Sequence, residues 1–411
     1  MKTSRHTGAF LILGAGSLHI AGIMFVYAYP LVLARMETTW DPMWAAFPAL
    51  IFTIAGGLWA PIAGRLLDAQ PKALAIPMGL FAIIAGFGLW SLTSSVLVLM
   101  MIVATLISFG AQLAGAQGGP HLLRTAYQGN QPRAQFLASI GLSFAALVVP
   151  LIDWLIGPGV GSVGLLLSLA IVLFCLSAIA MACIHVAGAT TDHTVTRWRI
   201  QANTERRPSF SGTPWKTRAM YTGLLFGGLF GSIGAFILHF GSQMAQANAS
   251  NLLLGGGGFI LAIATGGLVS RIGLSLIANP NNVKTVLVGL VVWHFIASAC
   301  VLLGGSALGV WGSVAVTVLF GVSVSGTLSI VPIIAADISD RASYGAVLGA
   351  IRFWSLFSNV FLFILLSAVL QLAPSFYASS HLFILAICGL LLISSTRGKA
   401  LNVQTNSSMG S

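Results

Sequence analysis

Apolar runs of about 20 residues, separated by short polar segments, recur along the whole chain. Because an α-helix rises about 1.5 Å per residue, such a run is long enough to cross the hydrocarbon core of a bilayer. Strands of a membrane β-barrel would be about ten residues long and alternate in polarity, and the sequence lacks that pattern. The sequence therefore predicts twelve helical spans, at about 8–34, 43–63, 74–92, 96–119, 134–156, 162–186, 217–240, 251–270, 284–303, 309–335, 344–370 and 377–395.

Positively charged residues test this division into spans. With the N-terminus in the cytoplasm, 17 of the 19 Lys and Arg residues fall in cytoplasmic segments, whereas Arg35 falls outside and Arg352 falls within a span. Cytoplasmic loops of membrane proteins carry an excess of Lys and Arg, so a wrong number of spans would destroy this bias. We therefore expect an all-α membrane protein with both termini in the cytoplasm.

The longest polar segment, at about 187–216, follows the sixth predicted span and is basic. It separates two sets of six spans, a layout typical of transporters built from two bundles that move against each other. We predict an N-terminal six-helix bundle at 1–190, a basic cytoplasmic linker at 191–216, a C-terminal six-helix bundle at 217–396 and a cytoplasmic tail at 397–411. The first span is too long for a signal-peptide core, so we expect it to be the insertion signal. We expect a multi-pass protein of the cytoplasmic (inner) membrane that is a monomer.

Composition excludes several classes of protein. The chain is 57% hydrophobic and 7% charged, whereas a soluble globular chain carries about 25% charged residues. Its net charge of +11 does not indicate nucleic-acid binding, because the cations occur in short clusters between apolar runs. The four cysteines lie inside apolar runs and are predicted to be small core residues. Lacking CxxC, HExxH and GxxxxGK[ST] motifs, the chain is expected to use no metal or cofactor and to be neither an enzyme nor an ATP-driven pump.

One cation lies deep inside an apolar run. Arg352 is about eight residues into the eleventh span, which places it roughly 12 Å into the segment. In a helix that crosses lipid, such a charge costs several kcal/mol unless it faces protein or water. We interpret Arg352 as the anchor for an organic anion, since a guanidinium binds a carboxylate bidentately. The alternative is that Arg352 reaches back to the nearer surface or fixes a helix contact.

A short pattern marks the loop between the second and third spans. The segment GRLLDAQPK resembles the cytoplasmic signature of the major facilitator superfamily, roughly G-x-L-x-D-R/K-x-G-R/K. The matching residues are Gly64, Leu66, Asp68 and Lys72, with Arg65 between them, whereas Ala69 and Pro71 depart from the signature. Gly64 allows close helix approach, and Asp68 can meet a helix N-terminus or a cation across the bundle interface.

The corresponding place in the second half, from Arg271 to Asn279, resembles the same signature in weakened form. We assign these two residues, with Gly64, Arg65, Asp68 and Lys72, to a motif that controls the conformational change. The alternative is that both segments are merely tight cytoplasmic turns. The resemblance implies a major facilitator fold, in which two six-helix bundles give alternating access to a central site.

Four further stretches resemble the oxalate/formate antiporter and monocarboxylate porter branch of that superfamily. They are YPL at 29–31 with Trp40 and Trp44, QPRAQFLASIG at 131–141, FILHF at 236–240, and 337–349 entering the eleventh span. In this branch a cation on the eleventh span, and often another on the eighth, holds the carboxylate. Arg352 matches the first position. The predicted eighth span, 251–270, contains no Lys or Arg, so we expect a monocarboxylate or an aromatic acid rather than a dicarboxylate.

Other polar residues inside spans are candidates for substrate contact. They are His19 and Tyr27 on the first span, Gln112 on the fourth, His239 on the seventh, and Ser355 and Asn359, which share a helical face with Arg352. Histidine titrates near neutral pH, so His19 or His239 is also a candidate proton carrier. For each residue the alternative is a hydrogen bond that joins neighbouring helices.

The carboxylates are informative by their positions. All eight Asp and Glu residues lie at or near predicted span ends or in loops. Exporters of cationic drugs generally need a buried acid, so this distribution argues against that class. We expect a transporter of a small organic anion that works as a proton symporter or an anion exchanger. The alternatives are an exporter of neutral or amphipathic compounds and, less in keeping with the sequence, a membrane sensor without transport.

Overall fold

A computed structural model describes residues 5–35, 42–70, 72–157, 159–188, 216–229, 256–304, 309–339 and 341–396. These residues form helices and turns, with no strand among them. In chain order the helices are α1 (Arg5–Arg35), α2 (Pro42–Ala69), α3 (Lys72–Trp90), α4 (96–126), α5 (Gln131–Ile156), α6 (Ser162–Val186), α7 (216–229), α8 (Gly256–Ile277), α9 (Val283–Gly304), α10 (Gly309–Ile338), α11 (Tyr344–Leu372) and α12 (Tyr377–Thr396).

Most of these helices have the length and composition of membrane spans. Within the described ranges, nine are long and apolar enough to cross a membrane, and two shorter apolar helices lie at Leu74–Trp90 and Leu261–Ile277. The protein is therefore a multi-pass membrane protein. Residues 230–240 of the predicted seventh span, residues 191–215 of the predicted linker, and the tail 397–411 lie outside the described residues. Twelve spans, the cytoplasmic position of both termini and the domain boundaries stay predictions.

Each half of the chain has its own apolar core. Buried side chains from α1 to α6 form one cluster, which includes Leu18, Phe25 and Trp90. A second cluster joins α7 to α12 and includes Phe226, Leu290 and Leu348. Phe136 of α5 belongs to the second cluster, so the two halves also pack against each other through α5.

Small residues bring the two halves close together where α2 meets α11. The backbones of Gly64 and Gly345 are so close that a methyl group on either would collide with the carbonyl oxygen of the other. One turn further along α11, Gly349 packs on the backbone of Ala60 in the same way. Since small residues let helices approach closely, the glycines at the start of α11 form a packing seam rather than a cavity wall.

Helix α4 is irregular. Segments Val103–Ile107 and Ala111–Ala116 are π-helical, and the N–H of Gln117 bonds to the carbonyl of Gln112, five residues back, at 3.1 Å. Such π-bulges are frequently found at functional sites. Close glycine contacts hold this helix in place, because Gly115 touches the backbone of Gly22 in α1 and Gly110 touches that of Gly79 in α3.

Candidate functional site

Arg352 lies in the ninth position of α11 and reaches across to the first half of the chain. Its Nη2 donates a hydrogen bond to the carbonyl oxygen of Ala116 in α4, at 3.0 Å. Its Nε is buried and has no hydrogen-bond partner among the described residues. The guanidinium therefore lies between the two halves with a donor to spare, rather than reaching back to a surface.

Arg271 corrects two of the predictions from sequence. The sequence placed Arg271 in a cytoplasmic turn and predicted an eighth span without a cation. In the structure α8 continues to Ile277, and Arg271 lies inside this helix with 3% of its surface exposed. Six residues of helix follow Arg271, about 9 Å at the α-helical rise. Its side chain turns inward because hydroxyl groups from two other helices accept its hydrogen bonds, which a turn at the surface would not supply.

Two serines hold the Arg271 guanidinium. Its Nε donates to Oγ of Ser329 in α10 at 3.2 Å, and its Nη1 donates to Oγ of Ser143 in α5. The Ser329 hydroxyl in turn donates to the carbonyl of Ser325, at 2.8 Å. Ser143 belongs to the first half of the chain, so Arg271, like Arg352, is a residue of the second half that bonds to the first.

His19 and Tyr27 of α1 lie near these cations. His19 is buried, and Arg352 and Arg271 both act on it electrostatically. Tyr27 is half-buried and within electrostatic reach of Arg271. Neither arginine has a carboxylate within 4.0 Å in the part of the chain that the structure describes. Among the described residues, the structure thus places His19 and Tyr27 near two positive charges that have no carboxylate within 4.0 Å.

The other predicted contacts are distributed differently. Ser355 donates to the carbonyl of Gly223 in α7 at 2.9 Å, so its hydroxyl joins two helices. Gln112 is half-buried and accepts a hydrogen bond from the buried side chain of Gln117, at 3.4 Å. Asn359 is half-buried, two turns beyond Arg352 on α11. His239 lies outside the described residues, and a role in substrate binding for all these residues stays a prediction.

Asp68 makes the contact expected of it. Its Oδ1 accepts from the backbone N–H of Gly345 at 2.9 Å, and its Oδ2 accepts from that of Ala346 at 2.7 Å. These are N–H groups at the start of α11, where a helix has free donors and a partial positive charge. His121 of α4 supplies a third contact, with its Nε2 at 3.0 Å from Oδ1 of Asp68. Asp68 therefore joins the two halves at the end of the molecule that carries the turn between α2 and α3.

Arg65, Lys72 and Asn279, the other polar residues of the motif, are placed differently. Arg65 is exposed, and the side chain of Lys72 lies outside the described part. Asn279 closes a local turn, because its Oδ1 accepts from the N–H groups of Asn281 and Asn282 at 2.9 and 3.1 Å. The second-half segment is therefore two separate features: a buried arginine within α8 and a turn after it.

Two contacts at this same end were not predicted from the sequence. Asn130 donates from Nδ2 to the carbonyl of Ala278 at 3.1 Å, and Arg124 donates from Nη2 to the carbonyl of Ala336 at 3.2 Å. Both residues belong to the first half and both acceptors to the second. A bond from a side chain to a distant backbone oxygen leaves no pattern in a single sequence, so neither contact could be predicted.

Two helical halves therefore meet around Arg271 and Arg352, neither of which has a carboxylate within 4.0 Å among the described residues. The chain matches no protein-family profile, and no curated protein matches it either. Solved structures do match. One is the crystal structure of the human organic anion transporter MFSD10 (TETRAN), with TM-score 0.67 and 13% sequence identity over 95% of this chain and 100% of that one.

A second similar structure is that of a bacterial homologue of the iron transporter ferroportin in an outward-facing state. It has TM-score 0.63 and 14% sequence identity, and the match covers 96% of this chain and 100% of that one. At these identities the likeness establishes the fold. It shows that the chain shares the helical fold of these two transporters, in agreement with the fold predicted from sequence. Membership of the major facilitator superfamily and of its oxalate/formate and monocarboxylate branch stays a prediction.

Proposed function

We propose that the protein is a secondary transporter that moves a small organic anion across the cytoplasmic membrane by alternating access. The observation that carries this proposal is the pair of arginines, Arg271 and Arg352. Each bonds from the second half to the first, and neither is paired with a carboxylate of the described residues. An unpaired charge inside a membrane protein is costly and marks the pathway of a substrate or ion. An anion supplies the missing counter-charge.

The second arginine changes the expected substrate. A monocarboxylate was expected because the eighth span seemed to lack a cation, and that premise is wrong. Two guanidinium groups match two carboxylates better than one, since each can bind a carboxylate bidentately. We therefore propose a dicarboxylate as the preferred substrate, with a monocarboxylate as a weaker one. A solved structure of the same fold is that of a human organic anion transporter, which supports an organic anion as the substrate.

Charge neutralisation links binding to movement. Arg271 and Arg352 bond to groups of the first half, so any rocking of the halves rearranges both guanidinium groups. A bound anion offsets the cost of burying these charges while the site is closed, whereas the empty site retains that cost. Arg271 and Arg352 both act electrostatically on His19. Because histidine titrates near neutral pH, His19 is the candidate carrier for a proton that moves with the anion.

Flux into proteoliposomes tests the proposal. Vesicles that contain the purified protein are given labelled oxalate, succinate, acetate or benzoate, either with an imposed proton gradient or with the same anion inside. We expect uptake that protein-free vesicles do not show, larger for the dicarboxylates, and driven by one of the two conditions. Transport of hydrophobic cations or neutral drugs with no carboxylate flux would contradict an anion transporter and favour a drug exporter.

A further inference from the structure

The carbonyl oxygen that Arg352 contacts is available because of a proline. In an α-helix the carbonyl of Ala116 would accept from the N–H of residue 120, but residue 120 is Pro120, which has no N–H. The next donor along α4, the N–H of His121, bonds instead to the carbonyl of Gln117, at 2.8 Å. Helix α4 thus leaves the Ala116 carbonyl without its usual partner.

Arg352 supplies the partner from the other half of the molecule. A carbonyl that is shielded from water and lacks a hydrogen bond is destabilising by about 1–3 kcal/mol, and the Ala116 carbonyl is partly shielded. The 3.0 Å bond from Nη2 of Arg352 satisfies this oxygen. A charged donor makes a stronger bond than a neutral one. The proline in α4 and the arginine in α11 are therefore matched across the interface between the halves.

We propose that Pro120 is a positioning residue, which by lacking an N–H reserves the Ala116 carbonyl for Arg352 and so fixes the guanidinium between the two halves. One side of the guanidinium is held in this way, while the buried Nε has no partner among the described residues and is free to donate to a ligand. The effect on anion binding rests on the proposed function. The link between Pro120 and Arg352 does not.

The π-helical turn before Pro120 supports this arrangement. It ends at Ala116, and Gln117 has φ −116°, away from the values of the surrounding helix. The turn is fixed on both sides, because Gly115 packs on Gly22 and the buried Gln117 donates to the carbonyl of Ala60 at 2.8 Å. The Ala116 carbonyl is thereby held in place for a partner from α11.

A double-mutant comparison without any ligand tests the link. Arg352→Met removes every donor of the side chain while keeping an unbranched stem, and Pro120→Ala gives the Ala116 carbonyl an N–H within its own helix. Pro150→Ala is the matched control, because Pro150 also lies inside a helix, α5. Thermal unfolding temperatures are measured for the three single variants and for each proline variant combined with Arg352→Met.

We expect the change in Tm caused by Arg352→Met to be more favourable by at least about 2 °C in the Pro120→Ala background than in the wild type. In the Pro150→Ala background it should equal the wild-type change. Equal changes in all three backgrounds would overturn the inference. Pro120→Gly, which also restores the N–H, replaces Pro120→Ala if that variant does not fold.

A second measurement concerns ligand binding. With oxalate or succinate as the probe, Pro120→Ala should weaken binding about threefold to tenfold, because the guanidinium is no longer held, while Pro150→Ala leaves the affinity unchanged. Unchanged affinity in Pro120→Ala would contradict a positioning role. If neither probe binds the wild-type protein, the proposed function fails, and the comparison of Tm values still decides whether Pro120 and Arg352 are linked.

Discussion

The carboxylate of Asp68 in α2 accepts a hydrogen bond from the backbone N–H of Gly345 in α11, at 2.9 Å. The two residues are far apart in sequence and belong to different halves of the chain. The bond satisfies a free donor at the start of a helix and places a negative charge at its positive end. It is therefore both a helix cap and a contact that closes one end of the molecule.

Replacing Asp68 by asparagine should loosen the first turn of α11. Asparagine removes the negative charge, whose interaction with the positive end of a helix is worth about 0.3–1 kcal/mol, and the N–H groups of Gly345 and Ala346 lose a charged acceptor. We expect faster hydrogen–deuterium exchange in residues 344–347. The matched control is Asp153→Asn, which breaks the 2.7 Å ion pair with Arg35 within the first half only. Equal exchange in both variants would contradict a contact between the halves.

The close approach of Gly64 and Gly345 makes a second prediction. A methyl group at Gly64 would collide with the Gly345 carbonyl, and overpacking of this kind costs about 1–3 kcal/mol. Gly64→Ala should therefore lower the thermal stability of the protein. Gly289→Ala is the control, because nothing lies within 4 Å of a methyl group there and alanine is favoured over glycine in a helix by about 0.5–1 kcal/mol. A Gly64→Ala variant as stable as Gly289→Ala would show that the halves do not close in this way.

Arg271 is predicted to discriminate between one and two carboxylates. Arg271→Gln removes one of the two cations and leaves Ser143 and Ser329 with a neutral partner. We expect the affinity for succinate to fall at least about tenfold, equivalent to about 1.4 kcal/mol, and the affinity for acetate to change much less. Isothermal titration calorimetry with both anions checks this difference. An equal loss for acetate and succinate would place both charges on a single carboxylate.

The sequence predicted much of the fold because membrane spans have a strong signal. Length, hydropathy and the distribution of Lys and Arg marked the helices, and most described helices begin and end within a few residues of the prediction. The contact of Asp68 with the start of α11 was also expected, because the signature around it marks the residue. Its role in a conformational change stays a prediction. These features depend on local composition or on a recognisable motif.

Arg271 shows what the sequence did not reveal. A single cation among Ser, Gly and Asn residues near the end of an apolar run fits a cytoplasmic turn as well as a buried site. The difference is decided by Ser143 and Ser329, which are far away in the sequence. The Ala116 carbonyl was missed for the same reason. Pro120 is visible in the sequence, but the arginine that replaces its missing N–H lies in another helix.

The central claim is that Arg352 anchors a carboxylate, and ligand-induced thermal stabilisation tests it most directly. Purified wild-type protein is heated with oxalate, succinate, acetate and benzoate, and the anion that stabilises it most is then applied to Arg352→Ala and Arg352→Lys. Arg35→Lys is the control, since Arg35 pairs with Asp153 inside the first half. We expect stabilisation of the wild type and the control, a smaller effect in Arg352→Lys, and none in Arg352→Ala. Equal stabilisation of Arg352→Ala and the wild type would contradict the claim.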